Sequence, residues 1–193
     1  MRACLRPVCC NGLMQFNTYT VAGAHIAVWL VNHPAPDGAA LAAELHRHEV
    51  HEPVGTAADV AALRPWTALL REVFAAAAEA DKARLADALL VAADCRPRLV
   101  SHGHGKPYHF HYAPVMTGLA PRVRALTAAG LAHVIDDGGG SRLRVCDRTG
   151  CDVAFIDTSR NGRRHFCCVR CANQVNVANH RRRRRYGAVS PPG

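Results

Sequence analysis

Cys146-Asp147-Arg148-Thr149-Gly150-Cys151 and, fifteen residues later, Cys167-Cys168-Val169-Arg170-Cys171 decide how this chain of 193 residues is read. Two thiolates close in sequence chelate from one turn, and a second pair brought alongside completes a tetrahedral zinc site. The predicted ligands are Cys146, Cys151 and Cys171, with Cys167 or Cys168 as the fourth. Cys167 lies one helical turn from Cys171, and Cys168 offers the shorter Cys-x2-Cys spacing; the reading favours Cys167. His165 and His180 are weaker alternates. Four sulfurs leave no open position for a water, so the expected cofactor is one structural Zn2+ and no catalytic residue is assigned. Asp157 is expected to brace the turn Thr158-Ser159-Arg160-Asn161-Gly162.

Downstream of the second pair the chain becomes cationic: His180 is followed by Arg181-Arg182-Arg183-Arg184-Arg185. The formal net charge is +9, and its placement is one-sided. Residues 141–193 hold twelve Arg against three Asp, an excess of nine; residues 1–140 hold twelve Lys+Arg against twelve Asp+Glu and balance. A neutral region followed by a basic one is the footprint of polyanion binding. A helix from Cys168 or Val169 onward would present Asn173, Gln174, Asn176 and His180 with the arginines, and Arg163 and Arg164 precede it. These are the predicted nucleic-acid contacts, since Arg, Asn and Gln read base edges and guanidinium forks match phosphates. DNA is the expected partner and RNA an alternative, although no aromatics interleave to stack bases. A membrane surface is excluded by the lack of a bulky apolar face.

Upstream, 49% hydrophobic residues with only 6% aromatics point to helices packed through small side chains. Helices are predicted over 16–33 (Val21, Ala24, Val28 and Val31 inward), 39–48, 57–80 and 81–93. Thr56 is placed as an N-cap and Pro65 as a kink or break. The third stripe is Val60, Leu63, Trp66, Leu69, Leu70, Val73 and Phe74; the fourth is Leu85, Ala88, Leu89 and Ala92. Tyr108-His109-Phe110-His111-Tyr112 alternates like a short strand. A further helix over 119–129 is ended by Gly130, and Leu131–Asp136 reads as strand or helix tail. Residues 142–146 and 153–156 are short strands flanking the first cysteine pair. The fold class is therefore mainly α with short β strands (α+β): a helical N-terminal domain and a small zinc-binding β-turn-β-helix module.

The domain division follows. Residues 1–13 are an extension, either disordered or lying upstream of a true start at Met14. Residues 14–137 form the helical domain, 138–141 a flexible Gly-rich linker, 142–186 the zinc finger with its basic helix, and 187–193 a disordered tail. Nine cysteines with no secretory pattern read as metal binding in a reduced cytoplasm rather than as a disulfide framework. No apolar run reaches the roughly 18 residues of a membrane span. His102, His104, His109 and His111 crowd one segment, and a strand would turn His109 and His111 to one face as a ligand pocket or second metal site.

Residues 146–173 resemble the CGNR zinc finger. The resemblance rests on Cys146-x4-Cys151, Phe155-Ile156-Asp157-Thr158-Ser159-Arg160-Asn161-Gly162-Arg163-Arg164, Phe166-Cys167 and Cys171-Ala172-Asn173. Gln174 and Ala172 stand where the family motif has Arg and Gly. That finger usually follows an ABATE domain in bacterial proteins, and Leu30-Val31-Asn32 and His109-Phe110-His111-Tyr112-Ala113-Pro114 are similar to that domain. The resemblance implies a stress-related bacterial transcription regulator with one zinc and DNA as target, cytoplasmic and nucleoid-associated when bound. It would carry a small-molecule effector site or a homodimer contact in its N-terminal domain. Two other classes stand beside it: a small-ligand protein or metal-dependent enzyme built on the histidine cluster, and a zinc-ribbon protein-interaction adaptor.

Overall fold

The computed structural model describes residues 18–50, 55–101, 103, 108–114 and 117–186. The expectations for residues 1–13, Met14, His102, His104 and 187–193 fall outside these residues, as do the side chains of Val21 and Arg185.

The described residues form six α-helices and two antiparallel two-stranded sheets, the expected mainly α class with short strands. The helices are α1 (Thr18–Asn32), α2 (Gly38–Arg47), α3 (Ala57–Ala75), α4 (Glu79–Ala92), α5 (Leu119–Gly138) and α6 (Val169–Tyr186). β1 (Arg98–Val100) pairs with β2 (His109–His111), and β3 (Leu143–Val145) with β4 (Ala154–Ile156).

Helix α5 is the axis of the body, and α1, α3 and α4 pack around it. Gly130 does not end this helix; it lies in its middle, where α1 crosses. A Cβ at Gly130 would stand 2.2 Å from the Ala24 backbone nitrogen, and one at Gly23 would stand 2.1 Å from the Leu126 carbonyl oxygen. The backbones therefore touch, and only hydrogen fits between them. The helix stops instead at Gly139, whose φ of 81° suits glycine.

Helix α3 begins as predicted: Thr56 accepts from the Asp59 N–H and Asp59 accepts in return from the Thr56 N–H, a capping box. Pro65 neither ends nor divides the helix. Its ring lies on the exposed face, while Leu63, Trp66, Leu70, Val73 and Phe74 anchor both halves in the core. Leu69, placed inward by periodicity, is 41% exposed. The break between α3 and α4 falls at 76–78, so α4 turns a different stripe inward: Lys82, Ala86 and Leu89 rather than Ala88 and Ala92. Trp66 donates to the Thr127 hydroxyl of α5 at 2.9 Å, satisfying its one polar atom inside the core.

The expected flexible linker is a packed turn. Gly140–Arg142 form a 3-10 turn with Gly140 and Arg142 buried, closed against α4 beside Glu79 and Lys82. The hairpin that follows is part of the body: Leu143, Ala154 and Ile156 belong to the same apolar core as Leu30, Trp66 and Leu131. Polar contacts bolt the join. The Asn32 amide both donates to the Ala154 carbonyl and accepts from its N–H, each at 2.9 Å, acting as one rung of a third strand beside β4. Arg71 bridges the Val31 and Asp152 carbonyls, and Lys82 donates to the Leu143 carbonyl.

Candidate metal centre and basic helix

The site is assembled from two short pieces of chain. Cys146 follows β3, and its N–H donates to the Val153 carbonyl at 3.0 Å, so the hairpin sets the first knuckle. Cys151 closes that knuckle in a turn through Gly150, its N–H bonded to the Arg148 carbonyl. Cys167 precedes α6, and Cys171 occupies its first turn. The four sulfurs of Cys146, Cys151, Cys167 and Cys171 lie within 4.8 Å of one another. Cys151–Cys167 is 3.9 Å, Cys167–Cys171 3.6 Å and Cys171–Cys151 4.0 Å. A regular tetrahedron with zinc–sulfur bonds of about 2.3 Å has edges of about 3.8 Å. The quartet thus has the size that one zinc ion requires, and Cys167 rather than Cys168 completes it. Zinc bound there would be held by Cys146, Cys151, Cys167 and Cys171 and would cross-link the two knuckles.

The thiols themselves call for a cation. Burial pushes Cys171 up to about 11 and also raises Cys167. Cys151 moves the other way: burial opposes its ionisation, but hydrogen bonds from the Val153 backbone, the neighbouring thiols and Arg148 outweigh it. Crowded sulfurs cannot all ionise alone, and a divalent ion supplies the missing positive charge.

A second layer holds the ligands. The Arg148 side chain donates to Cys171 Sγ at 3.2 Å, and the Cys167 N–H to Cys146 Sγ at 3.4 Å. Asp157 is fully buried and accepts from the Ser159 N–H at 2.9 Å and the Arg164 N–H at 2.7 Å, bracing the expected turn. Burial opposes its ionisation, yet these bonds and the Arg142 charge hold its carboxyl below the ordinary range. Arg142, buried beside it, donates to the Asp157 and Ser159 carbonyls at 2.9 and 2.7 Å. Sequence reasoning missed Arg142, Arg148 and Asn32 as supports. Each contacts a residue distant in the chain, and spacing gives no sign of that.

The predicted nucleic-acid residues separate into two groups. Arg163 is exposed, and so are Asn173, Gln174, Asn176, His180 and Arg181–Arg184 on α6. Among residues 169–184 of α6 only Cys171 is buried, and Ala172, Val175 and Asn179 form its half-covered side. The other residues of α6 through Arg184 face solvent, and Arg181–Arg184 lie where the negative end of the helix dipole favours them. Arg164 is different: half-buried, its guanidinium donates to the Phe166 and Cys167 carbonyls and lies 5.3 Å from the Phe155 ring. The alternates to the cysteine ligands are elsewhere. His165 pairs with Asp147 at 2.8 Å, and His180 lies about 13 Å along the helix from Cys171.

In the body, His109 and His111 do share a face of β2, with their Nε2 atoms 3.0 Å apart. Among the described residues, the cysteine quartet is the one cluster of three or more metal-ligating side chains. No helix among them is long and apolar enough to cross a membrane.

A search of curated proteins finds no match. A family model of the CGNR zinc finger matches residues 142–184, a span that contains the β3–β4 hairpin, all four cysteines of the quartet and α6 as far as Arg184, so this part of the chain is similar to that finger.

Proposed function

We propose that this chain is a zinc-dependent, DNA-binding transcription regulator in which the metal holds α6 and α6 contacts the duplex. The observation that carries the reading is the unpartnered face of α6. Asn173, Gln174, Asn176, His180 and four consecutive arginines are all exposed on a rod anchored at one end by the quartet. A helix of this kind fits a major groove, with arginines on phosphates and amides towards base edges. Arg163 is exposed as well and adds to the positive charge. In this reading the helical body is an ABATE-like regulatory domain of a bacterial stress-response protein. It takes a small-molecule effector or pairs with a second copy, and the protein works in the cytoplasm at the nucleoid. The chain is not an enzyme on this reading, because four thiolates close the metal.

The adjacent His109 and His111 rings favour a second reading, a small-ligand protein or metal-dependent enzyme built on β2 with a purely structural finger. A zinc-ribbon adaptor for another protein would use the same helix, but an excess of nine positive charges suits a polyanion better than an ordinary protein surface.

Fluorescence anisotropy with duplex DNA across a salt series tests the proposal. The zinc-loaded protein should bind with affinity falling steeply as salt rises. Replacing Arg181–Arg184 with alanine should flatten the slope of log K against log salt by about 3 to 4. Undiminished binding by that variant would place the contact elsewhere. Binding only to single-stranded RNA would overturn the choice of DNA.

A further inference from the structure

The quartet uses four of the five cysteines gathered at the start of α6. The fifth, Cys168, stands immediately before the helix and three residues ahead of Cys171. It is packed into the same small apolar cluster as Cys146, Cys151, Cys167, Phe155 and Phe166. Cys171 belongs to that cluster too, and Cys168 is only partly buried, so a small reagent can reach it. A Cys-x-x-Cys unit across a helix start presents both sulfurs from one turn, and in this case one sulfur is a ligand and the other is not.

We propose that Cys168 and Cys171 form a thiol–disulfide pair built into the metal site, through which a hydroperoxide releases the zinc. This rests on the assignment of the quartet as a zinc site. The Cys168 sulfur attacks the outer oxygen of the hydroperoxide; the O–O bond breaks, a sulfenic acid forms and an alcohol, or water from hydrogen peroxide, departs. The Cys171 sulfur then attacks the Cys168 sulfur, the S–S bond forms, and the hydroxyl leaves as water with one proton. Two electrons pass from the two sulfurs to the peroxide. Cys171 loses its bond to the ion, the remaining three thiolates are protonated, and Zn2+ leaves. A dithiol reverses the exchange and zinc rebinds. Since α6 is held chiefly through Cys171 and its neighbours, oxidation would unseat the basic helix.

Zinc-loaded full-length protein treated with hydrogen peroxide in the presence of a chromophoric zinc chelator is the test. Wild type should release its zinc, and dithiothreitol should restore binding. Trypsin cuts after Arg170, so the oxidised protein should yield the 165–170 and 171–181 peptides joined by a disulfide, with fragmentation assigning it to Cys168. Cys168→Ser and Cys168→Ala should bind one zinc each and release it at least about five-fold more slowly. Cys95 serves as an internal control: its thiol faces the Ala125 carbonyl in the body, and it should stay reduced. Release by both variants at the wild-type rate, or a wild-type disulfide through Cys167, would overturn the proposal. A wild-type protein that holds no zinc before oxidation would overturn the metal site itself, and the initial zinc stoichiometry tells the two failures apart.

Discussion

In the helical body, Trp66, Phe74, Leu30, Leu70 and Leu131 are sealed from solvent among one another, and α1, α3, α4 and α5 share that core. Around the knuckles, the apolar cluster has only Cys146, Phe155 and Cys171 buried, with Phe166 and the remaining cysteines half-covered. The first region holds itself by apolar burial, at about 25 cal/mol per Å² removed from water. The second has too little surface to bury and depends on coordination. Between them stands the β3–β4 hairpin, which belongs by sequence to the finger and by packing to the body. The lesson is that a sequence module and a cooperative unit need not share a boundary.

Removing the metal is the strongest way to break this comparison. Chelation, or Cys151→Ser, should cost the knuckles about 10 kcal/mol of coupled binding and folding. Residues 157–180 should then lose dispersed amide resonances in NMR, while β3, β4 and α1–α5 keep theirs. Collapse of residues 143–156 together with the knuckles would show that the hairpin follows the metal after all.

A perturbation of the opposite kind is Gly130→Ala. The added methyl meets the α1 backbone at 2.2 Å with nowhere to move, and should cost about 3 kcal/mol in denaturant unfolding. Zinc stoichiometry should hold as long as the body stays folded. A variant as stable as wild type would mean that the α1–α5 crossing relaxes freely.

Smaller still is the effect at the brace between the regions. Asp157→Ala leaves the Ser159 and Arg164 N–H groups without their acceptor and should cost about 2 kcal/mol. It should also weaken zinc retention in a competition with chelator, because the turn it braces leads into Cys167. Unchanged retention would confine Asp157 to the hairpin.

The smallest effect belongs to Asp59 in the capping box of α3. Asp59→Ala should cost about 1 kcal/mol, with the finger and its zinc untouched. The bonds to Thr56 hold the Asp59 carboxyl below its ordinary value. Its contribution is therefore present above the unfolded carboxyl range near pH 4 and disappears as pH falls through the lowered folded value. Wild type and variant should converge in stability there; a difference that persists at low pH would assign it to packing instead of charge.

Much of the architecture was legible because it is written locally. The Thr56 cap, the Trp66–Leu70–Val73 stripe, the two short strands and the helix after Cys168 all follow from neighbours within a few residues. The cysteine pairs were legible for the same reason, since chelation from one turn demands a short spacing. Beyond the α3 and α4 stripes, where Leu69 and Ala88 face out, the errors fell at glycines and at Pro65. Gly130 reads as a stop when the partner backbone is out of view, and Pro65 reads as a break when the core on both sides is ignored. Gly138–Gly139–Gly140 reads as a flexible link until α4 is seen to close over it.

By itself the sequence determined that four thiolates would meet, that the helices would pack through small residues, and that the positive charge would gather at one end. Composition and short-range spacing carry all three. Only the tertiary structure decided that Cys167 completes the quartet while Cys168 stands beside it, that Arg164 turns inward while Arg181–Arg184 stay exposed, and that the hairpin belongs to the body's core. The quartet and the hairpin's place are settled by atoms far apart in the chain, and whether a side chain meets a carbonyl, a sulfur or water depends on what folding brings alongside it.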